Sequence, residues 1–134
     1  MKRILWAVLG AAVIAAGCSD PIPPSRPTPV PATIPETFSD TLLVAGANTH
    51  TFSVTAVGAV QVTLQSVDPA AAVGLGIGFP SLGSCSPIDR VTAVAGSSVL
   101  LSGTATVPGL FCVTIFDIGN LVEPATYTIN VLHS

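Results

Sequence analysis

Apolar and polar side chains alternate along most of the chain beyond residue 47. The stretch "VQVTLQS" places Val60, Val62 and Leu64 on one side, and "ATYTINVL" does the same with Tyr127 and Ile129. A period of two is typical of strands with one face on a core. The pattern predicts seven or eight short strands, at roughly 37–44, 48–55, 58–66, 72–79, 89–94, 98–105, 110–117 and 125–132.

Glycine and proline residues separate these runs, and no stretch after residue 18 shows a helical period with caps. Short strands with regularly spaced turn signals indicate an all-β fold, an antiparallel β-sandwich of the jelly-roll or Ig-like type. The run "GLFCVTIFD" is apolar on both faces. Phe111, Val113 and Ile115 lie on one face, and Cys112 and Phe116 lie on the other. We therefore expect this strand to be central or covered by a loop. The glycines of "GLGIG" at 74–78 indicate a flat or bulged strand rather than a phosphate loop.

The N-terminus has a different pattern. Lys2 and Arg3 precede an uncharged apolar run that ends in small residues and Cys18. The run is shorter than the roughly 20 residues of a membrane span and has the length of a secretory signal. The segment resembles the bacterial lipoprotein signal, in which the cysteine receives diacylglycerol and cleavage occurs before it. The alternative is an ordinary secretory signal in which Cys18 pairs or is removed.

Lipidation of Cys18 implies attachment to a membrane of the bacterial cell envelope. Two or three acyl chains on one residue give stable attachment without a spanning helix. By the same resemblance, Ser19 is compatible with the outer membrane, on its periplasmic or surface side.

Seven prolines follow between residues 21 and 35. They favour a polyproline II spacer, which could hold a domain up to roughly 50 Å from the lipid. A proline-rich ligand for a partner module is the alternative. The predicted organisation is a signal peptide at 1–17, a lipidated cysteine and linker at 18–36, and a sandwich domain at 37–134.

Charge is scarce, because charged residues make up 8% of the chain against about 25% in typical soluble domains. Beyond the signal, Arg26 and Arg90 are the only basic residues, against seven acidic ones. Nucleic-acid binding requires a basic patch, so we predict no nucleic-acid partner. General acid–base catalysis requires positioned titratable groups, and these are few. We therefore predict no enzyme, no catalytic residue, no cofactor and no small-molecule substrate.

Cys85 and Cys112 remain once Cys18 is assigned to lipid. Disulfides form and persist in exported chains, so we predict a Cys85–Cys112 bridge that clamps a loop carrying Cys85 over the strand of Cys112. Two free buried thiols are the alternative. A metal site is not expected, because two cysteines without nearby histidines do not complete one.

The domain also resembles the bacterial pre-peptidase C-terminal domain, through "THTFSVTAVGAVQVTLQS", "VPGLFCVTIFDIGN" and "ATYTINVL". The resemblance implies a jelly-roll-like sandwich with a binding or accessory role, and in some members calcium binding. The family's acidic "D-A-D-L" is replaced here by "AAAVGLG", and Asp68 and Asp117 are isolated carboxylates, so no metal site is predicted.

The expected function is that of an envelope lipoprotein displaying a non-catalytic interaction or structural module, with an envelope protein as possible partner. The alternative is a glycan-binding or calcium-binding surface module. Trp6 is lost with the signal and Tyr127 belongs to the core pattern, which leaves little for glycan stacking. His50 and His133 lie in no metal-binding spacing. An exposed apolar patch around Phe79 and Phe116 would favour binding, and its absence would favour a passive envelope component.

Overall fold

Eight strands and the turns between them account for the folded part of the chain in a computed structural model. The structure describes residues 17, 21–26, 28, 31–97 and 100–134. In this part of the chain no helix has the length and apolar character needed to cross a bilayer. Cys18 and residues 1–16 of the predicted signal peptide lie outside the described residues. The strands are β1 (Ile34–Leu42), β2 (Ala47–Val54), β3 (Gly58–Asp68), β4 (Val73–Ser81), β5 (Ser84–Ala93), β6 (Leu101–Ala105), β7 (Gly109–Phe116) and β8 (Ala125–His133).

The strands form two four-stranded sheets, ordered β1-β8-β3-β6 and β2-β7-β4-β5, and every neighbouring pair is antiparallel. This order is that of a jelly roll, an eight-stranded sandwich built from two Greek keys. The all-β sandwich prediction is confirmed, with the jelly-roll order in place of an Ig-like one.

The core lies between the sheets and consists of the inner side chains that the alternation predicts. Val62, Leu64 and Ile129 of the first sheet face Leu75 and Val113 of the second, and all five are fully buried. Burial of each such side chain contributes about 1.5–3 kcal/mol, so these positions define the register of their strands.

Two strands begin earlier than the sequence pattern indicates. Strand β1 starts at Ile34, within the predicted linker, and it includes Pro35. Proline is tolerated there because β1 is an edge strand, whose outer N–H groups need no partner. Strand β5 starts at Ser84, so Cys85 lies in a strand rather than in the predicted loop.

The cause of the second difference is a tight hairpin between β4 and β5. Ser81 pairs with Ser84, and the two residues between them, Leu82 and Gly83, have φ values of 49° and 79°. Two successive positive φ angles are the signature of a two-residue type I′ turn. Leucine is uncommon in that conformation, so "SLGS" gives a weak turn signal.

Candidate functional site

Cys85 and Cys112 form a disulfide pair in the structure, with their Cα atoms 5.7 Å apart. Their strands are not neighbours, because β4 lies between β5 and β7. The bond therefore passes over β4, where Gly78 pairs with both Cys112 and Pro87. A Cβ on Gly78 would overlap the carbonyl oxygen of Ser86 and lie 2.6 Å from the Cα of Pro87. The first residues of β5 thus bend across the outer face of β4, which covers Cys112 completely.

An apolar cleft opens where edge strands β5 and β6 of the two sheets lie side by side. It has a volume of about 230 Å³, and Val60, Ile77, Ile88 and Phe111 line it, with Asp89 beside them. We call this feature the β5–β6 cleft. Its wall on β6 lacks a side chain at Gly103, which pairs with Val60 between the buried residues Leu101 and Ala105.

Gly103 and a β-bulge together shape the cleft. A Cβ on Gly103 would meet no atom within 4 Å, so this inner-facing position is left unfilled. In β5 the register shifts between the pairs Ile77–Asp89 and Gly78–Pro87, which leaves Ile88 unpaired. Bulges change the direction of a side chain, and here the side chain of Ile88 lines the cleft while remaining 69% exposed.

Phe79 continues the apolar surface beyond the cleft. Its ring is 44% exposed and packs against Phe111 with the centroids 5.0 Å apart. Phe116 does not belong to this surface, because it lies on the outer face of β7, where its ring fills the space above Gly74. The Arg90 guanidinium lies 6.0 Å from the Phe116 ring centroid. Phe79 and Phe116 therefore do not form one patch, since Phe79 of β4 packs against the inner-facing Phe111 whereas Phe116 lies on the outer face of β7.

A polar network occupies the opposite side of the sandwich, between edge strands β1 and β2; we call it the β1–β2 seam. His50 stacks on Phe38 with ring centroids 4.8 Å apart, and its Nε2 lies 2.7 Å from the Tyr127 hydroxyl. Asn48 donates from its side-chain amide to Tyr127 and to the carbonyl of Thr41. These contacts connect the two sheets at an edge that apolar side chains leave open.

Burial changes the ionisation of this network. It lowers the pKa of His50, although the nearby Asp40 carboxylate opposes the shift, and it raises the pKa of Tyr127. The neutral imidazole and the neutral phenol are thus favoured together, as expected for hydrogen-bonded groups inside a sandwich.

The same seam contains the second histidine. His133 is 1% exposed, its Nε2 lies 2.8 Å from a Glu36 carboxylate oxygen, and its ring packs 5.3 Å from that of Phe52. His50 and His133 are far apart in the sequence, but the pairing of the strands brings both into the β1–β2 seam. Within the described residues every buried side-chain nitrogen or oxygen has a hydrogen-bond partner. The seam therefore holds the two sheets together through satisfied polar groups.

The acidic loop residues are also engaged in local structure. Asp117 accepts hydrogen bonds from the backbone N–H groups of Ala45, Gly119, Asn120 and Leu121. These bonds, led by the one from Ala45, hold the pKa of Asp117 below its usual value. Across the described part of the chain, no three His, Cys, Asp or Glu side chains lie close enough to hold a metal ion.

The chain was compared with known proteins. No protein-family model matches it, and no curated protein matches it. The resemblances to the lipoprotein signal and to the pre-peptidase C-terminal domain therefore stay predictions.

Proposed function

We propose that this protein is a lipid-anchored protein of the bacterial cell envelope and that its jelly roll is a non-catalytic interaction module. The apolar run ending at Gly17 and Cys18, followed at once by the proline-rich tract, supports the anchor and the spacer. The described linker residues 21–26 contain no strand or helix, as a polyproline spacer requires.

The observation that carries the interaction role is the β5–β6 cleft. It exposes Ile88 and opens inward to Ile77 and Phe111, so that an apolar side chain from outside could contact inner-facing residues of the sandwich there. Ligand pockets for drug-sized molecules have volumes of about 300–1,000 Å³, and this cleft is smaller. Its size suits one or two apolar side chains of a protein partner, which would cover Ile88 and Phe79 as well.

The environment of the titratable groups supports a role without catalysis. His50 and His133 pack inside the seam, and Asp117 is occupied by loop N–H groups. A catalytic acid or base must reach a substrate proton, and Asp89 is the one titratable side chain among the residues that line the β5–β6 cleft, without a second acid or base beside it there.

Replacing Cys18 by alanine tests the anchor. The variant should move from the membrane fraction to the soluble fraction and lose labelling by a clickable fatty acid. Membrane fractionation and labelling equal to those of the unaltered protein would refute lipidation at Cys18.

Photo-cross-linking in cells tests the interaction role. A photoreactive phenylalanine at Ile88 should give a discrete protein adduct, and the same residue at Thr63, on the outer face of β3, should give none. Gly103→Leu should abolish the Ile88 adduct, because its side chain would project into the cleft from a position whose Cβ meets no atom within 4 Å. Failure to obtain an adduct at Ile88, or equal adducts at both positions, would contradict the proposal.

A further inference from the structure

The two ends of the jelly roll differ in charge. The first residue of β1, Ile34, pairs with His133 at the last position of β8, and Val54 pairs with Gly109. The 55–57, 82–83 and 106–108 turns therefore lie at the end from which the chain runs back toward Cys18. We call this end, consisting of these turns and the adjoining residues of the strands, the linker end.

The turns of the linker end are apolar and uncharged. They read "TAV", "LG" and "TVP", without Asp, Glu, Lys or Arg. The buried Ser134 lies against the first of these turns, where its backbone oxygen accepts a hydrogen bond from the Thr55 N–H and its hydroxyl donates one to the Ala56 carbonyl. Four large apolar side chains are exposed here: Val57 (38%), Leu82 (104%), Val107 (60%) and Leu110 (51%). In β1 and β8, Glu36 near this end is paired with the buried His133.

The opposite end carries four of the chain's carboxylates, on Asp40, Asp68, Asp117 and Glu123. Apolar side chains are exposed there too, including Val122 at 94% and Leu43 at 60%. The ends thus differ less in apolar exposure than in charge.

Leu82 is the most informative residue of the linker end. It has a positive φ of 49° in a turn position where Asn or Gly is preferred, and its side chain is fully exposed. A leucine there stabilises neither the turn nor the core.

We propose that the linker end rests on the lipid bilayer to which Cys18 is attached, with Leu82 and its neighbours in the boundary between headgroups and acyl chains. The inference rests on the proposed lipid anchor. The linker enters the domain at this end, and its reach of roughly 50 Å is an upper limit, so this end can approach the lipid surface more closely than the other. Uncharged turns enter the boundary without burying a charge, whereas the carboxylates of the other end would be repelled by anionic lipid.

Single-tryptophan variants of the lipidated protein in vesicles test this orientation. Cleavage before Cys18 removes Trp6, the only tryptophan of the chain, so the mature protein has no tryptophan fluorescence of its own. Leu82→Trp should shift its emission to the blue and lose emission when the vesicles contain brominated phosphatidylcholine. The matched control, Val122→Trp, is equally solvent-exposed at the other end and should show neither change.

Each outcome has a separate meaning. Protein that floats with vesicles but whose Leu82→Trp emission is not quenched would overturn the contact while leaving the anchor intact. Equal quenching of both variants would overturn the end-on orientation. A blue shift without lipid quenching would indicate a protein contact instead and would overturn the lipid assignment. Protein that fails to float would refute the anchor and the orientation with it.

Discussion

Glycines at single positions decide how the outer face of the second sheet is covered. Gly74, Gly76 and Gly78 lie on the outer side of β4; a Cβ would overlap a neighbour at Gly74 and Gly78 and would make tight contacts of 3.1 Å at Gly76. At Gly74 that neighbour is the flexible edge of the Phe116 ring, but at Gly78 it is the backbone of Ser86 and Pro87. The bend of β5 across β4 therefore depends most strongly on Gly78.

Replacing Gly78 by alanine should destabilise the fold by about 1–3 kcal/mol, because the backbone of β5 must move to admit the methyl group. Gly103→Ala is the matched control, since open space surrounds its Cβ position. Removing that glycine should leave stability unchanged or raise it by about 0.4–1 kcal/mol. Urea unfolding compares the stabilities of the two variants. Equal midpoints would contradict the close approach of the β5 backbone to Gly78.

The pH dependence of stability should depend on His50. Burial holds its pKa below the ordinary value of 6.5, despite the opposing charge of Asp40. The unfolded chain therefore binds a proton at this residue more readily, so stability should fall as the pH is lowered through 6.5. His50→Gln should reduce this fall in stability. His133 and its partner Glu36 are present in both proteins, so the difference between them reports on His50. The melting temperatures of the unaltered protein and of His50→Gln between pH 8 and pH 5 measure this effect. Identical pH profiles of the two proteins would show that His50 is not responsible for it.

At the scale of elements, the β4–β5 hairpin is the least regular part of the sandwich. A type I′ turn joins its two strands, and a bulge at Ile88 interrupts their pairing. The disulfide pair Cys85–Cys112 connects the start of β5, next to this turn, to β7. The bulge and the bend act on different faces of the second sheet. They direct Ile88 toward the cleft on one face and cover Cys112 on the other.

The disulfide should make a large contribution to the stability of this small domain. In a Cys18→Ala background, mass spectrometry without reduction should show a cross-linked Cys85–Cys112 peptide pair and no free thiol. Cross-linking residues 27 apart in the sequence should stabilise the fold by about 3.5 kcal/mol on the chain-entropy model. Reduction should lower stability by that order and leave the β-type circular dichroism intact at low temperature. Ready alkylation of both thiols in the native protein would show that the bridge does not form.

Strand alternation predicted the elements well, because burial of one face imposes a period of two. Phe52, Val62, Leu75, Ile115 and Ile129 all lie in the core as that pattern requires. The start of β5 could not be predicted, since its turn uses a leucine at positive φ and its bulge breaks the alternation.

The candidate site was less predictable than the strands. The β5–β6 cleft depends on a missing side chain at Gly103, and the sequence does not reveal that its neighbours leave the space open. The β1–β2 seam joins residues far apart in the chain, such as Glu36 and His133. Only the pairing of β1 with β8 brings them together, and local spacing contains no signal of it.

At the scale of the whole molecule, the described part of the protein is a small sandwich whose two ends differ in charge and whose β5–β6 side contains an apolar cleft. The turns at the end where β1 begins contain no charged side chain, and the opposite end carries Asp40, Asp68, Asp117 and Glu123. The β5–β6 cleft lies on a side of the sandwich, where a neighbouring envelope protein could reach it while the linker end contacts lipid. Both proposals depend on attachment at Cys18, which is the central claim.

The mass of the N-terminal peptide of protein extracted from membranes tests that claim most directly. We expect this peptide to begin at Cys18 and to carry the added mass of a diacylglyceryl group, with or without an acyl chain on its amino group. A peptide that begins at Cys18 or at any other residue without added lipid would contradict the account.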